Sequence, residues 1–412
     1  MKRVFAGKIN FIIIIGLALA GVFGFLYFQS AGGSLSYDIP IYGLASDVLL
    51  TEEKKEVPHL PTPEAVKAVY MTSCAVGTPS FREHLIDLIA GTELNSIIID
   101  IKDYTGTMSY PPNDPELLHL WQSAKCGAPD MADFITTLHQ QGVYVIGRIT
   151  VFQDPHLTAR RPDLAVKTAS TGAIWRDNKG LSFTDPGARD VWDYHIALAK
   201  DAYDLGFDEL NFDYIRFPSD GPMKDIAFPH SGNRPKPEVL EDFFSYLHQE
   251  LVDTGMVTSA DLFGMTTTNV DDLNIGQVLE RALPYFDYIA PMVYPSHYPK
   301  NFNNWPDPNK VPYDIIKFSM DAAVRRTIAA TTIVPAKSHT LISGTSTPAV
   351  YSKEVFSANK IRPWLQDFDY PVPYTPDMVR AQIKATYDAG LNSWMLWDPR
   401  NRYTRSALEP SQ

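Results

Sequence analysis

From residue 66 onward, eight short apolar runs alternate with stretches whose apolar residues recur at helical spacing, and this alternation limits the chain to few folds. The runs cover residues 66–71, 96–101, 143–149, 209–213, 259–265, 288–293, 361–366 and 393–397. Helices are expected between them at 80–90, 131–141, 188–205, 237–252, 274–283, 313–329 and 376–389. Gly142, Gly206, Gly255 and Gly390 stand where helices must stop in a left-handed turn before the next strand. Eight βα units predict an α/β chain closed as a (β/α)8 TIM barrel. An open doubly wound sheet is the alternative, but no Gly-x-Gly-x-x-Gly follows the first run, so no dinucleotide or other cofactor is expected. Residues 328–357 hold one more strand-like piece, 331–335, inside a Ser/Thr-rich stretch read as a long loop.

The N-terminus points to export. Lys2, Arg3 and Lys8 precede an uncharged apolar run at 11–28, long enough to cross a bilayer as one helix, with the basic end left in the cytoplasm. The expected layout is a signal anchor or transmembrane segment at 1–31, a linker at 32–63 and a barrel at 64–405. That makes a single-pass membrane protein with its C-terminal domain outside the cytoplasm. A cleaved signal peptide, with Ala31-Gly32-Gly33 as its small-residue site, is the other reading. Cys74 and Cys126 either pair, closing a loop worth about 4 kcal/mol in chain-entropy terms, or are two unrelated buried thiols.

The net charge of −12 argues against nucleic acid as a partner, since phosphate binding needs a basic surface. A serine-nucleophile elbow, a phosphate-cradling loop and a His-Glu-x-x-His helix are all missing from the sequence. His156, His195 and His297 are scattered, which gives a metal hydrolase little support, and no metal site is expected.

Polar residues at the C-terminal ends of barrel strands share one cavity, and here several strands end in them. The second gives Asp100, Lys102 and Asp103, the third Arg148, and the fourth Asp213, Tyr214 and Arg216. The fifth contains Asp261, the sixth leads to Tyr294 and His297, the seventh to Gln366 and Asp367, and the eighth to Trp397 and Asp398. Carboxylates from several strands beside Tyr294, Trp364, Trp394 and Trp397 suit glycoside hydrolysis: one acid attacks or stabilises an oxocarbenium-like centre, another protonates the leaving oxygen, and aromatic faces hold the sugar. Asp213 and Asp261 are the expected catalytic pair, the remaining strand-end residues the expected substrate contacts. Arg216 offers a fixed fork of donors for a carboxylate or a sugar hydroxyl. The structural alternative for Asp213 is an ion pair with Arg216 or Lys102, and for Lys102 a buried pair with Asp100 or Asp103.

Four blocks carry a resemblance: residues 95–106 (Asn-Ser-Ile-Ile-Ile-Asp-Ile-Lys-Asp-Tyr-Thr-Gly), 208–218 (Asp-Glu-Leu-Asn-Phe-Asp-Tyr-Ile-Arg-Phe-Pro), 287–295 (Asp-Tyr-Ile-Ala-Pro-Met-Val-Tyr-Pro) and 362–367 (Arg-Pro-Trp-Leu-Gln-Asp). In this order they resemble the bacterial glycoside hydrolase barrel family related to α-amylase-like barrels, over about residues 66–403. The resemblance implies a TIM barrel acting on a poly- or oligosaccharide, with Asp213 where related retaining barrels carry their nucleophile. Those barrels keep an acid/base glutamate at the end of the fifth strand, where this chain has only Asp261, earlier in the strand. A catalytically inactive glycan-binding barrel of the cell envelope is therefore the second functional reading.

Overall fold

A computed structural model describes residues 57–342 and 347–411 of the 412-residue chain. The apolar run at 11–28 and most of the 32–63 linker lie outside the described residues. Among the described residues no helix is long and apolar enough to cross a membrane.

Eight parallel strands close into a barrel: β1 Lys67–Met71, β2 Ser96–Lys102, β3 Tyr144–Thr150, β4 Glu209–Asp213, β5 Val257–Phe263, β6 Tyr288–Met292, β7 Trp364–Gln366 and β8 Trp394–Trp397. Each pairs with its sequence neighbours and β1 pairs with β8, which rules out the open doubly wound sheet. The crossover helices are α1 Pro79–Ala90, α2 Met131–Gln140, α3 Arg189–Leu205, α4 Lys236–Leu251, α5 Leu279–Ala282, α6 Pro312–Ile328 and α7 Pro376–Asp388. Among the described residues after β8 there is a short 3₁₀ turn, Arg405–Ala407.

Local chemistry explains these bounds. In α2 the buried residues Met131, Phe134, Ile135 and Leu138 fall at i, i+3, i+4 and i+7, which seats one stripe on the sheet. Helix α3 ends at Gly206, whose φ of 119° is open to glycine and costly for residues with a Cβ. The expected helix at 274–283 shrinks to α5, because Leu273, Asn274 and Gly276 all take positive φ and keep the backbone ahead of it out of the helix. Strand β7 begins later than expected: Ile361 makes only an isolated parallel bridge to Ile289 of β6, Pro363 has no N–H to donate, and the continuous strand starts at Trp364, opposite Met292. The 331–335 piece is no barrel strand. Thr331–Thr332 joins Tyr351–Ser352 and Thr340–Leu341 in a small antiparallel sheet, so this stretch is not the open loop expected.

Two apolar layers hold the barrel. Outward-facing Leu210 and Phe212 of β4, with Val145 and Ile149 of β3, pack under the helices. Inside lie Ala68, Ile98, Tyr144, Ile146, Ala290 and Trp364. Cys74 and Cys126 are disulfide-bonded, with Cα atoms 4.7 Å apart, and join the segment after β1 to the loop before α2.

Candidate active site

Strand β4 explains why charge collects inside this barrel. Its alternate residues Leu210 and Phe212 enter the outer core, so Glu209, Asn211 and Asp213 turn inward, and all three are buried. Interior barrel positions are usually branched aliphatics, and three stacked polar side chains there must find partners. Glu209 bonds Arg362 at 2.7 Å, Asn211 donates to Asp261 at 2.8 Å, and Asp213 receives Arg148 at 2.5 Å.

The uppermost of these layers opens into a cavity of about 240 Å³ at the C-terminal strand ends. Its charged and polar lining is Arg148, Asp213, Tyr214, Arg216, Asp261 and His297. Its apolar walls are Phe263, Met292, Tyr294, Phe368 and Trp397.

Asp213 is held at both oxygens. Arg148 donates from Nε and Nη2 to Oδ2, and the Tyr214 backbone N–H donates to Oδ1 at 2.5 Å. Arg148 also bonds Asp100 through Nη1 at 2.6 Å, and Tyr70 donates to the other Asp100 oxygen at 2.5 Å. Tyr70 in turn stacks on Trp397 with centroids 4.0 Å apart. Burial works against the Arg148 charge, but Asp213 and Asp100 outweigh it and raise its pKa well above the ordinary value. Burial lifts Asp100 to about 6, against the pull of Arg148 and Tyr70.

Asp261 has different surroundings. Asn211 Nδ2 and Trp364 Nε1 both donate to its Oδ1, at 2.8 and 2.7 Å, and both donors are neutral. Burial first, then the negative charge of Asp213, pushes its pKa well above the usual carboxylate range. Because Phe212 registers with Ala260, Asp213 and Asp261 are lateral neighbours on adjacent strands, with backbones roughly 5 Å apart. Tyr214 has a φ of 51°, a strained value for a bulky residue, and its ring packs against Val166, Trp175 and Phe183 of the long β3–α3 connection.

Of the expected site residues, the cavity brings together Asp213, Asp261, Arg148, Tyr214, Arg216, Tyr294, His297 and Trp397. Asp100 lies behind Arg148 and reaches the site through it. The others do not line the cavity. A register shift between Asp100 and Lys102 turns Lys102 away, where it pairs with Asp154 at 2.6 Å instead of with Asp100, Asp103 or Asp213. Asp103 ties the loop after β2 through Ser73 and Thr105. Gln366 bonds Ser296, Phe368 and Tyr370 in the neighbouring loops, and Asp367 bonds Thr404 through backbone and hydroxyl. Asp398 accepts from the Arg400 backbone in the turn after β8. Arg216 does not pair with Asp213 either; it bonds Phe217 O and Ser219 Oγ. Trp394 is buried outside the barrel, with its indole N–H on Tyr387.

Phe263, Met292 and Phe368 line the cavity without having been expected, and Tyr70, Asn211 and Trp364 set its charges. The period-2 pattern of Glu209, Asn211 and Asp213 is the sequence signal that marks Asn211 as inward; the apolar three carry none.

The fold is similar to that of the PgaB (BpsB) glycoside hydrolase domain from Bordetella bronchiseptica, at 13% identity and a TM-score of 0.57, over 84% of this chain and 99% of that one. A hypothetical protein from Ruminiclostridium thermocellum is 37% identical over 47% of this chain and 96% of its own, with a TM-score of 0.41. The glycoside hydrolase domain of PelA from Pseudomonas aeruginosa aligns at 11% identity over 85% of this chain and 98% of that one, with a TM-score of 0.42. No curated protein matches the sequence. Residues 68–403, which span all eight barrel strands but for the first residue of β1, match the model of a family described as "putative glycosyl hydrolase domain", and the chain belongs to that family.

Proposed function

We propose that the protein is a glycoside hydrolase that cleaves an extracytoplasmic polysaccharide with Asp213 and Asp261 as its two carboxyl groups. The observation that carries this reading is the contrast between these neighbours: Asp213 faces a guanidinium, while Asp261 is buried among neutral donors. A carboxylate held by a guanidinium suits the nucleophile, and a neighbouring acid that burial pushes toward its protonated form suits the proton donor.

With both donors on Oδ1, the proton of Asp261 resides on Oδ2, from which it passes to the glycosidic oxygen as that bond breaks. Asp213 attacks or stabilises the anomeric centre, and Asp261, now ionised, takes a proton from the incoming water. Lateral neighbours on adjacent strands favour the close spacing of retaining enzymes, about 5–5.5 Å between carboxyl groups, over the 6.5–9.5 Å that leaves room for an inverting water. Tyr294, Phe368 and Trp397 supply flat faces for sugar rings. The apolar run at 11–28 and the Cys74–Cys126 disulfide, a bond that persists in oxidising compartments, support placing the barrel outside the cytoplasm on a membrane anchor.

A panel of envelope and environmental glycans assayed for released reducing ends tests this. Asp213→Asn is expected to lower turnover of a responsive glycan at least about 10³-fold while leaving glycan binding and the melting temperature nearly unchanged. Wild-type binding without product would instead mark a glycan-binding module, and undiminished turnover by the variant would remove Asp213 from the chemistry.

A further inference from the structure

Arg216 is the exception among the arginines that approach the interior. Arg148, Arg281, Arg326 and Arg362 each hold a carboxylate at ion-pair distance. Arg216 lines the cavity, and among the described residues no carboxylate lies within ion-pair distance of it.

Its side chain is nevertheless fixed. Nη1 donates to Phe217 O and to Ser219 Oγ, both at 3.1 Å, and the guanidinium lies 5.0 Å from the Tyr214 ring centroid. Tyr214 itself is held at positive φ, so the backbone carries strain of about 1–3 kcal/mol in the segment that presents this cation. Among the described residues no acceptor meets the Nε and Nη2 edge, the geometry that receives a carboxylate through two parallel bonds. Arg148 cannot serve this purpose, since its donors are spent on Asp100 and Asp213.

We infer that Arg216 binds a carboxylate carried by the substrate, so that the glycan cut here contains an acidic sugar next to the scissile bond. The assignment rests on the reading of the cavity as a glycan site and names the class of glycan.

The full-length chain carrying Asp213→Asn, silenced so that turnover does not disturb the measurement, is titrated calorimetrically with tetragalacturonate, tetramannuronate and a hyaluronan tetrasaccharide. The methyl ester of each, cellotetraose and sulfated cellotetraose complete the set. At least one acid is expected to bind about tenfold more tightly than its ester, as a charge-assisted bidentate contact implies. Adding Arg216→Gln should erase that preference without shifting the melting temperature, and Arg216→Lys, a point charge without the fork, should keep part of it. The inference is overturned if no acid binds, if acid and ester bind alike, or if Arg216→Gln keeps the preference. Arg216-dependent binding of the sulfated ligand alone would overturn the carboxylate assignment. Arg216-dependent binding of an acid with no product from the wild type would sink the hydrolase reading and leave this one standing. Hydrolysis confined to neutral glycans would do the reverse.

Discussion

The two ends of β4 hold the same kind of group in opposite circumstances. At the lower end Glu209 and Arg362 pair one to one at 2.7 Å, with Tyr144 bonded to the same carboxylate, and both side chains are almost wholly sealed from solvent. At the upper end one arginine, Arg148, serves two carboxylates, and a third, Asp261, stands beside them without a cation of its own. The sealed pair is balanced and has nothing to exchange. The open cluster has more acid than base and faces a cavity, and burial beside Asp213 pushes Asp261 toward its protonated form. Buried ion pairs are weak evidence for function or for stability when taken alone. Stoichiometry and access to the cavity separate the two.

The largest effect is expected of Asp261→Asn. Its Oδ1 can still accept from Asn211 and Trp364, so the melting temperature should hold while turnover falls about 10²- to 10⁴-fold. The wild type should lose activity as pH rises through the elevated pKa of Asp261, because only the protonated form is an acid. A variant as active as the parent would exclude Asp261 from proton transfer.

At the sealed end, Glu209→Gln leaves Arg362 charged and unpaired in the interior. Denaturant unfolding should show a loss of about 3–5 kcal/mol, with turnover per folded molecule unchanged. Equal losses of turnover in the two variants at full folding would erase the distinction between the ends.

The smallest effect belongs to Asp367, which is outside both clusters. Burial lifts its pKa to about 7, against two hydrogen bonds from Thr404. The folded state therefore binds more protons than the unfolded chain, and stability falls as pH rises from about 4 toward 7. Asp367→Asn should make the fall of the melting temperature across that window shallower, leaving the part that Asp100 and Asp261 contribute, whereas an unchanged slope would assign the whole pH dependence to other groups.

Much of the fold is legible before any coordinates. The eight apolar runs fall on the eight strands, with 209–213 unchanged, and glycine takes positive φ at Gly142, Gly206, Gly255 and Gly390. The site is legible only where a residue follows its strand's alternation. Asp213 and Arg148 do so. Lys102 does not, because an irregularity in β2 turns it outward, and nothing in the local sequence announces one. Asp103, Gln366, Asp367 and Asp398 sit at strand ends as expected, yet their side chains are used by the loops that follow.

Spacing along the chain is enough to set the class of fold and to place Asp213 at the end of a buried strand. Tertiary structure alone decided that Arg148 and not Arg216 neutralises Asp213, that Cys74 and Cys126 pair, and that Trp364 keeps one oxygen of Asp261 occupied. Trp364 lies 103 residues from Asp261 and Arg148 lies 65 from Asp213. Hydrogen bonds and desolvation act over a few ångströms, so partners that distant in sequence exist only once the barrel has closed.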